Sequence, residues 1–276
     1  MDQSLPPGLY IVATPIGNLS DLSPRAAETL RRAELILAED KRVTAKLLAH
    51  VGAKAPMETY NDHSSDADRE RSLAAIARGA VALVSDAGTP LISDPGYKLV
   101  RATRAAGHAI VTIPGPCAAV AALTLAGLPT DRFLFAGFLP AKSKARKKAI
   151  AELAAIQASL VFYESGPRLA ECLADLAAGL GEREAAVARE ISKLHEQCVT
   201  GTLAELAERY GQAPPKGEIV IVVGPPPDRQ ASAEDLDEAL RESLAALSPS
   251  RAAAEVATRL GIPRKRAYAR ALELSR

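Results

Sequence analysis

VALVSDAGTPLISDPG, residues 81–96, decides the fold: an aliphatic run stops abruptly in Ser, Asp, Gly, Thr and Pro. A continuous apolar run reads as a strand buried on both faces of a parallel sheet, and open α/β sheets bind ligands beyond the carboxyl ends of such strands. Gly88 and Gly96 permit positive φ or close backbone approach, and Pro90 and Pro95 stiffen the segment. Asp94 before Pro95 has the form of a helix N-cap followed by proline at the first helical position. The connection from Ser85 to Gly96 takes twelve residues, where about 2 to 6 is usual, and long ordered loops tend to carry function.

Outward from this stretch, short apolar runs alternate with helical patterns. Leu9 to Ala13, Leu35 to Ala38, Met57 to Tyr60, Val81 to Ser85 and Ala109 to Ile113 read as strands separated by helices, a βαβ rhythm that implies a largely parallel sheet. Ser23-Pro24 marks one helix start in the same way as Asp94-Pro95. After Pro114-Gly115-Pro116 come Phe133 to Gly137, Ser159 to Tyr163, Ala185 to Ala188, Gln197 to Thr200 and Ile219 to Val223. Several connections are shorter here, so antiparallel neighbours and a mixed sheet are expected. Thr202 and Glu205 form a capping box before the last strand. Breaks at Pro114–Pro116 and Gly224–Pro227 divide the chain into 1–115, 116–224 and 225–276, two α/β domains and a small C-terminal helical domain. In the last, Ser232, Ser248-Pro249 and Pro263 open helices, and the final pair has the spacing of a helix-turn-helix with alanines at the crossing.

Of the 276 residues, 48% are hydrophobic and 24% charged, the balance of a globular chain with a real core. Aromatics make up only 4% and Trp is absent, so that core is built from Leu, Val, Ile and Ala. Cys117, Cys172 and Cys198 lack metal-ligand spacing, and MDQSLPPG lacks a charged and apolar leader pattern, so a reduced, cytoplasmic protein is expected. No uncharged apolar run approaches the roughly 20 residues of a membrane span. Net charge is only +1, yet its distribution is uneven. Lys142, Lys144, Arg146, Lys147 and Lys148 form one basic cluster, and Arg264, Lys265, Arg266 and Arg270 form another on the last helix, while 228–242 is acidic. Two basic clusters in a near-neutral chain point to an anionic macromolecule.

The loop after the first strand, VATPIGNLSDL (12–22), has one glycine and neither Gly-Lys-Ser/Thr nor G-x-G-x-x-G, which excludes a P-loop and a dinucleotide fingerprint. The four histidines, His50, His63, His108 and His195, show no ligand spacing, and no metal site is expected.

TPIGNLSDLSPRA, LAEDKRVT, SDAGTPLISDPG, PGPCA, GFLP, FYESGPR, AREISKLHEQ and KGEIVIVVG occur in an order and spacing that resembles the tetrapyrrole-methylase-like family of S-adenosylmethionine-dependent methyltransferases, in its branch of small-subunit ribosomal RNA methylases. The resemblance spans about residues 8–224 and extends to the helical tail. It implies two α/β domains of the tetrapyrrole methylase type with S-adenosylmethionine in the cleft between them, a homodimer, and 2'-O-ribose methylation of a cytidine in the decoding region, on small-subunit ribosomal RNA or the assembled subunit. It places Pro15, Ile16 and Gly17 at the first cofactor loop, with Asp86, Gly88, Thr89 and Ile92 at the second. Cys117 and Ala118 follow the PG turn, Phe162 and Tyr163 lie on the strand that flanks the adenosine and are counted among the cofactor contacts, and Lys216, Gly217 and Glu218 close the pocket. Four positions depart from the family pattern: Cys117 for a hydroxyl residue, Gly166-Pro167 for Pro-His, and Lys41 for Thr.

Such a reaction is dominated by positioning, with the cofactor itself as electrophile. A ribose hydroxyl is a weak acid, so a base or a cation favouring the alkoxide would help. Glu39, Asp40, Glu164 and Arg189 are candidates, alongside Glu190, Glu196, Arg168 and Lys193. Lys142, Lys144, Arg146, Lys147, Lys148, Arg264, Lys265 and Arg266 are the candidate RNA contacts. The competing readings are a same-fold methylase of a tetrapyrrole precursor and a non-catalytic RNA- or partner-binding module.

Overall fold

The computed structural model describes residues 4–213, 215–227 and 233–275. Ser232 as a helix start and the first residues of the acidic run lie outside the described residues. The chain forms two compact units, 1–225 and 226–276.

Unit one holds two sheets. In the first, β1 (Gly8–Val12), β2 (Leu35–Ala38), β3 (Met57–Thr59), β4 (Ala80–Val84) and β5 (Ile110–Ile113) are all parallel in the order β3-β2-β4-β1-β5. The period-2 pleat gives each strand two buried faces. Tyr10, Val12, Ala82 and Val84 pack under α1 (Pro24–Arg32) and α2 (Lys41–Val51), whereas Leu9, Val81 and Leu83 pack under α3 (Asp66–Ile76) and α4 (Tyr97–Ala105). Ser23 caps α1, its hydroxyl accepting the Ala26 N–H with Pro24 at the first helical position. Because β1 and β4 are neighbours whose following helices lie on opposite faces, their loops diverge and open a crevice at the carboxyl edge.

Asp94 is not the cap of α4. The helix begins at Tyr97 behind Gly96, whose φ is 126°. A Cβ on Gly96 would stand 2.8 Å from Leu83 Cδ2, so the chain must press against β4 before it can turn into the helix. That detour leaves Asp94 facing the crevice.

The second sheet, β6 (Phe133–Phe138), β7 (Ser159–Ser165), β8 (Glu184–Arg189), β9 (Gln197–Thr202) and β10 (Glu218–Val223), runs in the order β6-β7-β10-β8-β9, and only β6 and β7 are parallel. It is the mixed sheet that the short connections imply. One face packs on α6 (Ser143–Leu153), α7 (Leu169–Leu180) and α8 (Leu203–Gln212), which starts at the Thr202–Glu205 capping box. The other packs on α5 (Ala118–Ala126).

Two expectations are corrected here. Phe162 is fully buried among the residues under α6, α7 and α8, because adjacent residues of a strand point to opposite faces; only Tyr163 faces the α5 side of the sheet. Arg146 does not belong to a basic surface. Its side chain is 0% exposed, with Nε 2.6 Å from Asp175 Oδ2, Nη2 3.1 Å from Glu171 Oε2 and Nη1 donating to the Ala141 carbonyl. Lys142, Lys144, Lys147 and Lys148 remain exposed on the first turns of α6.

Unit two packs α9 (Ala233–Leu244), α10 (Pro249–Leu260) and α11 (Arg264–Leu274) around Leu236, Leu240, Val256, Ala253, Ala267 and Ala271, small residues allowing close crossing. Arg264, Lys265 and Arg266 are exposed at the start of α11. Arg270 is drawn inward by Asp237 and Glu273. Among the described residues no helix is long and apolar enough to cross a membrane.

Candidate active site in the cleft between the two sheets

Loops from both sheets of unit one enclose an open cleft, the concave form that small-molecule sites take. From the first sheet come Ile16 and residues 87–89 and 92–94; from the second come Phe138, Tyr163, Glu164, Glu190, Ile191, Lys193, Glu218, Ile219 and Val220, with Cys117 and Ala118 between.

The loop after β4 is fixed at several points. Thr14 N–H donates to the Gly88 carbonyl at 2.8 Å and Gly88 N–H to the Thr14 carbonyl at 3.1 Å, joining the loop to the end of β1. Gly88 needs its φ of 84°, and a Cβ there would stand 3.3 Å from Ile16 Cγ2. The Thr89 hydroxyl donates to the Pro116 carbonyl, and the Tyr163 hydroxyl accepts the Ala119 N–H. A bulge after Phe135 puts Phe138 beside Tyr163 in an edge-to-face contact at 5.6 Å.

Residues 190–193 reach back across the cleft from β8. Ser192 donates its hydroxyl to Asp21 in the loop after β1, and Gly17 lies so close that a Cβ would meet Lys193 Cγ at 2.5 Å. The described non-glycine residues with positive φ are Leu91, Ser93, Glu190 and Ser192. All four lie in the two loops that bound the cleft, where local strain is a mark of function.

The lining is acidic: it carries Asp94, Glu164, Glu190 and Glu218 against Lys193, which lies 3.0 Å from Glu190, while Arg168 stands behind Glu164. Burial raises the Asp94 carboxyl to about 6; a hydrogen bond from Ser85 opposes the rise, and the charges of Glu39, Asp86 and Glu218 add to it. Burial likewise raises Glu39 and Asp86 above the usual carboxylate range.

Of the cofactor candidates, Gly88, Thr89, Ile92, Cys117, Ala118, Tyr163 and Glu218 line the cleft. Pro15, Gly17, Asp86, Phe162, Lys216 and Gly217 do not, although Gly17 supports the crossing loop and Asp86 accepts the Asp40 N–H.

The four catalytic candidates are not brought together. Glu39 accepts the Asp86 N–H; Asp40 caps α2 and is held near 2 by its hydrogen bonds with Arg42; Arg189 donates to Gln197. Glu164 borders the cleft with a fully buried side chain, one oxygen taken by the Ser165 N–H and the other 3.2 Å from Arg168, which also holds the Leu139 carbonyl. Sequence reasoning missed Ser93, Asp94 and Phe138 as lining residues. GFLP was the available signal for Phe138, but the two-residue detour that frees Asp94 has none.

Residues 8–207 match the model of a family described as Tetrapyrrole (Corrin/Porphyrin) Methylases, and residues 230–275 match one described as RsmI C-terminal HTH domain. The chain is similar to proteins named Ribosomal RNA small subunit methyltransferase I. It is 56% identical to that of Erythrobacter litoralis over 99% of this chain and 97% of the relative. It is 46% identical to that of Mesorhizobium japonicum over 98% and 93%. A crystal structure of uroporphyrin-III C-methyl transferase from Thermus thermophilus complexed with S-adenyl homocysteine shares the fold, with a TM-score of 0.56 and 21% identity over 79% of this chain and 97% of that one.

Proposed function

Because the chain belongs to the tetrapyrrole (corrin/porphyrin) methylases, in the branch of the small-subunit ribosomal RNA methyltransferases I, we propose that it binds S-adenosylmethionine in the cleft and methylates the 2'-hydroxyl of a cytidine in the decoding region of that RNA. The observation that carries the reading is the open cleft itself: small residues, two aromatic rings and an excess of carboxylates suit an adenosyl group bearing a cationic sulfonium. When bound, S-adenosylmethionine supplies an activated methyl group. What remains for the chain is orientation and exclusion of water. Gly88, Ala118 and Cys117 leave the backbone accessible, Tyr163, Phe138 and Ile92 offer apolar faces, and the segment 190–193 shields one side. The domain division 1–115, 116–224 and 225–276 is part of the same reading, supported by one sheet in each of the first two segments. So are a cytoplasmic location and a homodimer; for the dimer, the exposed Val120 and Leu125 of α5 offer apolar surface.

For the RNA we assign Lys142, Lys144, Lys147 and Lys148 on α6 and Arg264, Lys265 and Arg266 on α11, all exposed. Phosphate contacts of this kind make affinity salt-dependent. Reversing the four α6 lysines to Glu is expected to weaken binding to small subunits at least tenfold and to flatten its salt dependence, with the affinity for S-adenosylhomocysteine unchanged. Filter binding across a salt series checks this, and unaltered RNA affinity would remove the assignment.

The function is tested by incubating small subunits from cells lacking the gene with radiolabelled S-adenosylmethionine and the protein, then mapping the label. Label at one cytidine 2'-oxygen is expected. Label on protein or on a tetrapyrrole refutes the reading.

A further inference from the structure

The loop 85–96 has two sides. One lines the cleft; the other, with Tyr60, Asn61, Asp62 and Ser64 after β3 and the first residues of α4, bounds a second open recess. Asp94 lines both cavities. It is therefore the wall between the cleft and a neighbouring recess that the methyl-donor reading leaves unused.

The recess has the chemistry of a nucleotide seat. Tyr97 is 65% exposed at its rim, an aromatic face on which a base can stack. The turn opposite is held in shape by the Ser64 hydroxyl accepting the Asn61 N–H at 2.9 Å and by Asn61 Oδ1 accepting the His63 N–H at 3.0 Å. Asn61 Oδ1 is thereby engaged within the turn and its amide nitrogen offers donors; Asp62, next along, is exposed and offers only acceptors. A carboxylate accepts from the exocyclic amino group of cytosine, and an amide nitrogen donates to its ring nitrogen or carbonyl. Lys98 supplies a charge for a phosphate.

The wall is held firmly on both flanks. Leu91 and Ser93 keep φ values of 75° and 65° just before Asp94, and a Cβ on Gly137 of β6 would stand 3.1 Å from Ser93 Oγ. Such local strain persists only where the surroundings enforce it. Here it holds a carboxylate between two cavities.

We infer that this recess seats the target cytidine, base against Tyr97 and the 61–62 turn, and that Asp94 accepts the hydrogen bond of the ribose hydroxyl facing the cleft. The inference rests on the cleft being the methyl-donor site. It assigns recognition of the nucleotide to the first sheet, leaving the basic residues of α6 and α11 to hold the surrounding RNA.

The test is ultraviolet crosslinking of the full-length protein to small subunits from cells lacking the gene, in the presence of S-adenosylhomocysteine, with crosslinked peptides identified by mass spectrometry. A cytidine joined to Tyr97 is expected. Tyr97→Ala should lose the Tyr97 crosslink and lower kcat/KM for small subunits about tenfold, with S-adenosylhomocysteine affinity within twofold of wild type, and Tyr97→Phe should restore both. A wild type that methylates the subunits yet crosslinks only outside residues 60–64 and 94–98, or an unchanged kcat/KM in Tyr97→Ala, overturns the seat while leaving the methylase reading intact. A wild type that binds the subunits without methylating them overturns both.

Discussion

Substituting alanine for Arg146 is expected to lower stability by about 3 kcal/mol without a specific effect on the salt dependence of RNA binding. Removing one partner of a buried ion pair costs about 3–5 kcal/mol, because the other is left as an uncompensated buried charge. Asp175 would be that charge: its side chain is 10% exposed, and Arg146 Nε, at 2.6 Å, is its nearest cation. The lower end of the range applies because Lys147 Nζ stays 3.5 Å away and the Ser143 hydroxyl still donates. Burial by itself raises the Asp175 carboxyl; the hydrogen bond and charge of Arg146, with Lys147, outweigh it and hold the group below its ordinary 3.8. A depressed carboxyl contributes stability above its unfolded value and loses it as pH falls through the folded one. In the variant burial dominates and the sign reverses, so acidification relieves the penalty. Urea denaturation at pH 7 and pH 4 should therefore show a gap that narrows at the lower pH, whereas a gap below about 1 kcal/mol at pH 7 would return Arg146 to the surface cluster.

Asp94→Asn carries the second large effect. A hydrogen bond accepted by a charged group is worth about 1.5–3 kcal/mol, so kcat/KM for small subunits should fall by about 10- to 100-fold. Wild-type activity should decline as pH falls through about 6, where the carboxyl takes up its proton, and the variant should lack that acid limb. The charged groups that bear on this titration surround Asp94 on every side. Glu39, Asp86 and Glu218 raise it. Glu164, Glu190 and Lys193 line the cleft with it, and Asp62 and Lys98 line the recess. Stability should move the opposite way to activity. A carboxyl raised from 3.8 to about 6 destabilises the folded state while ionised, and that penalty fades as pH falls toward the unfolded value. Asp94→Asn should then melt at or above the wild-type temperature at pH 8, with the difference vanishing near pH 4. A variant that is both inactive and less stable at pH 8 would mark Asp94 as a structural residue.

Strand positions were legible because most are apolar runs bounded by turn residues, and all ten expected runs form strands. The pleat phase was not. Phe162 and Tyr163 are both aromatic, and only the packing of β7 between its two helical layers decides which one faces the cleft. Arg146 was unreadable for a related reason: within KSKARKK its partner lies 29 residues away on α7, and a cation facing solvent looks the same in sequence as one facing a carboxylate. Asp94 carried a local signal that tertiary packing overrode, since Gly96 against Leu83 delays the helix and turns a capping residue into a wall. The motifs lie on loops that line the cleft. They did not say which side of each loop faces which cavity.

The most direct test of the central claim is a crystal structure of the full-length protein with S-adenosylhomocysteine. The adenosyl group is expected between the loop 87–93 and Tyr163, with the sulfur on the side of the cleft nearest Asp94. Density for the ligand at any other place, with the cleft left to solvent, would contradict the account.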